Sequence, residues 1–197
     1  MLQHDNPFWR FSLNLYQVRR IREALHQLQD EAGANMNLLL FALWVAQQQL
    51  RFLPNRTVHF EQLENWHRDY TLPLRHQRVT LKRLAEKADK NDQGPLHQMR
   101  KHIQQAEGYA EQQEQAVLYY YYQQRQGLTP CEDRKAALIE NLTDCFDVPS
   151  QVERTPLEVL LGILLDKEQI ESTVVKLIER LERRGVRFSE LSRLNSP

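Results

Sequence analysis

The chain has 197 residues, enough to bury a core without disulfide or metal staples. Its 26 Lys and Arg balance 26 Asp and Glu, so net charge singles out neither a polyanion nor a membrane surface as partner. With 21 Gln and only 6 Gly, the composition favours helix over strand.

The N-terminal Met1-Leu2-Gln3-His4 lacks the basic and apolar regions of a signal peptide. Asn6-Pro7 then opens a first helix, with Asn as cap and Pro at the first helical position. Phe8, Phe11, Leu15 and Val18 form one stripe on it. The stripe steps to Ile21, Leu25, Leu28 and Ala32, which predicts a bend, or two helices, meeting near residues 16–20. Gly33 is placed to close the second helix and Asn35 to cap the next.

Residues 36–46 are the most apolar stretch of a chain whose mean hydropathy is −0.65. Apart from Asn37 the segment is apolar on every face, so it predicts a helix surrounded by others. With Asn35 its twelve residues reach about 18 Å, and a bilayer span needs roughly 20 apolar residues. A soluble, cytoplasmic, all-α bundle of about seven to eight helices around this segment is the expected architecture.

Pro54-Asn55-Arg56-Thr57 reads as a turn. The following helix carries Phe60, Leu63, Trp66 and Tyr70, and Pro73 ends it or starts the next, which runs from Arg75 through Val79, Leu81 and Ala85. Lys90 to Pro95 is the clearest loop signal. Leu96, Met99, Ile103, Ala106, Ala110, Gln113, Val117 and Tyr120 then recur at spacings of three and four. They predict a narrow seam on one long helix, about 95–125. Its partner is either another helix of the chain or a second copy, and a homodimer is expected. Tyr119 to Tyr122 point all around that helix.

Gly127-Leu128-Thr129-Pro130 is the expected boundary between a helical core, 1–126, and a C-terminal helical extension, 127–197, whether separate or packed on the same core. A chain ending at Gln126 is expected to stay soluble and helical. In the extension, residues 131–147 predict one helix, Val148-Pro149-Ser150 breaks it, Thr155-Pro156 starts another, and a last helix closes at Gly185 before a short tail. Cys131 and Cys145 would lie about 21 Å apart on one helix, beyond disulfide reach.

One segment of this order resembles a known family. Asn6-Pro7-Phe8-Trp9-Arg10-Phe11-Ser12-Leu13, Leu15-Tyr16, Leu28-Gln29-Asp30, Gly33, Asn37-Leu38-Leu39-Leu40-Phe41 and Leu43-Trp44 carry the resemblance. Trp66, Pro73-Leu74-Arg75, Arg78 and Leu81-Lys82 complete it. Residues 6 to about 122 are similar to an uncharacterised bacterial family of small helical proteins. Where that family has Pro-Gly after the Leu-Tyr pair, this chain has Arg19-Arg20. The resemblance implies an all-helical cytoplasmic protein and brings no activity, cofactor or site residues with it.

Three groupings bear on chemistry. Glu23 with His26 and Glu64 with His67 are Glu-x-x-His pairs. Di-iron bundles use two such pairs with further glutamates, which Glu107, Glu111 or Glu114 would supply here. Given how frequent Glu is in this chain, the pairs are close to what chance provides, and neither a metal site nor a cofactor is expected. Asp30, Asn37, Trp44, Trp66 and Arg75 are the candidate lining of a small-molecule pocket, against the plainer reading that they cap and hydrogen-bond a helix junction.

Residues 75–101 hold eight Lys and Arg against three acids, a surplus of five, and so form a candidate nucleic-acid surface. Residues 131–153 hold six acids against two bases, so charge complementarity within or between subunits is the simpler account. Residues 160–188 faintly resemble a winged-helix core, but Glu171, Glu179 and Glu182 do not suit a recognition helix. No Gly-rich phosphate loop, Gly-x-Ser-x-Gly elbow or His-Glu-x-x-His motif is present.

The leading expectation is therefore a non-enzymatic interaction or regulatory protein. A nucleic-acid-binding regulator comes second, and a small-molecule or metal-dependent helical enzyme near Asp30 and Asn37 third.

Overall fold

Asn35 accepts a hydrogen bond from the Leu38 backbone N–H at 3.1 Å, and Gly33 sits at φ 65°. In this computed structural model, which describes residues 2–146 and 151–194 and side chains only through residue 185, they start and stop helices where the sequence places them. The fold is all-α. Helix α1 spans Pro7–Gln17, α2 Arg19–Ala32 and α3 Met36–Gln47. The break between α1 and α2 is a single extended residue, Val18, and needs no Pro-Gly. Asn6 caps α1 by accepting from the Trp9 N–H at 2.8 Å.

Further along come α4 (Arg56–His59), α5 (Glu61–Trp66), a π-helical turn (His67–Thr71), α6 (Leu72–Lys87) and α7 (Lys90–Gln124). Pro73 lies at the second position of α6, in its first turn, as one of the two expectations had it. The π turn precedes it, and there the Leu72 N–H reaches back five residues to the His67 carbonyl. The loop expected at Lys90 to Pro95 is helical. Asp89 accepts the first bonds of α7, and Pro95 falls early enough to remove only one backbone bond.

The last helices are α8 (Arg134–Thr143), α9 (Arg154–Leu161) and α10 (Lys167–Leu194). The helix expected to close at Gly185 continues to Leu194, because no Pro or Asn stop follows until Asn195. The expected break at Val148-Pro149-Ser150 lies outside the described residues.

Two three-residue strands were not expected. β1 (Leu50–Phe52) pairs antiparallel with β2 (Leu128–Pro130), Arg51 opposite Thr129. Such short strands carry too little periodicity to be read. Among the described residues no helix is long and apolar enough to cross a membrane.

Contacts group the chain into two units. One comprises residues 1–9 and 57–124. In it α5, the π turn and α6 pack along α7, and Phe60 stacks on Tyr121 at 5.0 Å. The other comprises residues 10–56 and 125–197. There α3 is the core, buried from Met36 to Ala46, with α8 packed on it and α9 on α2. Asn141 of α8 is fully buried. It accepts from the Phe52 N–H at 2.7 Å and donates to the carbonyls of Ala42 and Leu50.

Candidate functional site

Spacing of four and three residues puts Glu107, Glu111 and Glu114 on one side of α7. In the first unit that side meets α6 and the π turn. Arg75 Nε donates to Glu107 at 3.1 Å and its Nη2 to Glu111 at 2.9 Å. Arg78 also pairs with Glu107. Glu114, fully buried, receives the Thr71 hydroxyl and lies 2.8 Å from His67 Nδ1. The π turn sets His67 and Thr71 over that one carboxylate. Burial pushes the Glu111 carboxyl above the ordinary range, while its pairing with Arg75 acts against that rise.

Trp66 donates its indole N–H to the Ala110 carbonyl at 3.1 Å and packs against Tyr70 with ring centroids 4.4 Å apart, tilted by 36°. Ala110 and Val117 are buried, so the middle of the predicted seam is filled by the chain's own helices. Of the tyrosine run, Tyr121 is buried, with its phenol held above the ordinary range by burial, and Tyr120 is exposed.

His67 and the three glutamates are engaged within their own unit: Glu107 by Arg75 and Arg78, Glu111 by Arg75, and Glu114 by His67 and Thr71. Glu23 pairs with Arg19 at 2.7 Å, and His26 Nε2 lies 2.8 Å from the Tyr16 hydroxyl. Among the described residues no three His, Cys, Asp or Glu are grouped as metal ligands. Of the candidate pocket residues, Asp30, Asn37 and Trp44 belong to one unit, Trp66 and Arg75 to the other. Asp30 faces solvent, whereas Asn37 and Trp44 are buried on α3. Arg75 is committed to Glu107 and Glu111.

What this unit presents outward is different. α6 and α7 are joined only by Ala88-Asp89 and form a long hairpin. The hairpin exposes Leu84 (50 %), Met99 (56 %) and Tyr109 (74 %). Near the tip a depression of about 490 Å³ is lined by Leu84, Ala88, Pro95 and Leu96, with Lys87 and Asp92 at its edge. Of the eight cations between residues 75 and 101, Arg75 and Arg78 are spent internally. Sequence reasoning located the seam but not its filling: it weighed Glu107, Glu111 and Glu114 only as metal carboxylates, and their partners Arg75, Arg78, His67 and Thr71 come from other helices.

Comparison with known proteins adds a family. A sequence model described as a protein of unknown function, DUF2390, matches residues 7–118. No curated protein and no solved structure matches the chain.

Proposed function

This chain belongs to the DUF2390 family of proteins of unknown function, and we propose on that premise that it is a non-enzymatic cytoplasmic interaction protein that self-associates through the outer face of its α6–α7 hairpin. The observation that carries this reading is the exposure of Leu84, Met99 and Tyr109 on helices whose inner faces are already packed. It is supported by the fate of the groups capable of acid–base chemistry. Glu107, Glu114 and His67 are held by partners on adjacent helices. Ala110 is buried by the chain's own helices, so the contact is assigned to the exposed Met99, Tyr109 and Leu84 and not to Ala110.

Sedimentation of the full chain at micromolar concentration tests this. Twice the chain mass is expected, reverting to the monomer in Met99→Glu, where a charge replaces an exposed apolar side chain. A wild-type monomer would remove self-association from the reading.

A second reading has its own observation. After Arg75 and Arg78 are discounted, Lys82, Arg83, Lys87, Lys90, Arg100 and Lys101 still outnumber Glu86, Asp89 and Asp92 on the hairpin. That surface suits a nucleic-acid backbone. Salt-sensitive retention on heparin, lost in a Lys87→Glu/Lys90→Glu variant, would favour it.

A further inference from the structure

We infer that the groove formed by the end of α1, the start of α2, α9 and the start of α10 is a docking site for an acidic amphipathic helix of a partner protein. The inference rests on the reading of this chain as an interaction protein but uses a different surface, wholly within the second unit. The groove holds about 680 Å³. One wall is Leu15, Val18 and Ile21; the other is Val159, Ile163 and Ile170.

Val18 is 48 % exposed at the α1–α2 break, an extended position any residue adopts. Gly162, just past the end of α9, lies in the floor; a Cβ there would stand 3.3 Å from the Glu158 carbonyl and in ordinary contact with Ile170. Leu15 on α1, Val18 at the break and Ile21 on α2 line one side, and Val159 on α9 with Ile163 just beyond its end line the other, so the groove runs between two apolar rows. A third helix can lay its own stripe between them, ridges into grooves.

Charge selects the kind of helix. The rim carries Arg20, Lys167, Glu158 and Glu171. Both glutamates are bridged by Arg154, which pairs with Glu158 at 2.6 Å and also with Glu171. Arg20 and Lys167 pair with no carboxylate among the described residues. The groove therefore offers an apolar floor with two uncommitted cations. An acidic helix satisfies both features, whereas a basic one would meet repulsion.

The probe is a phage-displayed library of helices about 18 residues long, panned against the full chain and counter-selected on its Val18→Glu variant. Val18 is half-exposed and outside any helix, and a thermal melt of the variant is the check that it folds. The enriched peptides are expected to carry apolar residues three and four apart and a net negative charge. In fluorescence polarisation their affinity should fall by about tenfold or more in Val18→Glu and in Ile163→Glu. It should fall as well in Lys167→Glu, and recover there when a peptide acid is changed to Lys.

No enrichment, enrichment of neutral or basic peptides, or affinity indifferent to Val18→Glu each overturns the proposal. A full-chain dimer dissociated by Val18→Glu would give the groove to a second copy and overturn it too. Met99→Glu should leave peptide binding intact, so failure of the hairpin reading and failure of this one are told apart.

Discussion

Asn141 shows how much one side chain can hold. Its amide serves the Phe52 N–H and the carbonyls of Ala42 and Leu50, tying α8 to β1 and α3 with no water needed. Asn141→Ala leaves a buried donor and two acceptors to reorganise, and the expected loss is about 2–4 kcal/mol in a denaturant melt. Glu111 works in the opposite sense. Its folded-state pKa is raised, so the folded chain holds that proton more tightly than the unfolded chain does. Its contribution is most favourable below the ordinary carboxylate range and declines as pH rises toward the raised value. Urea melts across that window should show the stability difference between wild type and Glu111→Gln moving against wild type as pH increases. A difference independent of pH would mean that Glu111 titrates normally.

Elements succeed here where local signals and burial agree. Helix α3 has a working Asn cap, a left-handed glycine before it and apolar residues on all sides, and every residue from Met36 to Ala46 is buried. Leu40→Ala or Phe41→Ala should each cost about 2–5 kcal/mol, because the surrounding helices cannot collapse fully into the space. The α6–α7 pair is held differently. Arg75 and Arg78 on one helix and Glu107 and Glu111 on the other set a register that apolar residues alone would leave free to slip. The π turn belongs to the same arrangement, since it brings His67 and Thr71 to Glu114.

For the whole molecule, the notable point is that the second unit is discontinuous in sequence. Residues 10–56 meet residues 125–197, with α8 covering α3, α9 covering α2 and β2 completing the ladder with β1. A chain cut after Gln126 loses all of that cover. Its expected outcome is loss of cooperative melting and aggregation through the bared faces of α2 and α3, checked by calorimetry and light scattering on the truncated protein. Gly127, at φ 67°, is then a turn into a strand of this unit, although by composition it reads as a boundary.

By itself the sequence determined the helical class, a bend or helix junction near residues 16–20, the caps at Asn6 and Asn35, and the identity of the core helix. These follow from short-range causes: side-chain oxygens satisfying nearby N–H groups, a glycine free to take positive φ, and apolar spacing along one helix. The tertiary structure alone decided the rest. Short strands form only because a distant partner is present. A glutamate on a helix is a solvated residue or an internal ion-pair partner according to which arginines another helix brings up to it. The walls of the groove come from residues 15–21 and 159–170, and no local signal relates two segments so far apart. Function lies with that second kind of information, since surfaces are assembled from distant segments while helices are specified by near ones.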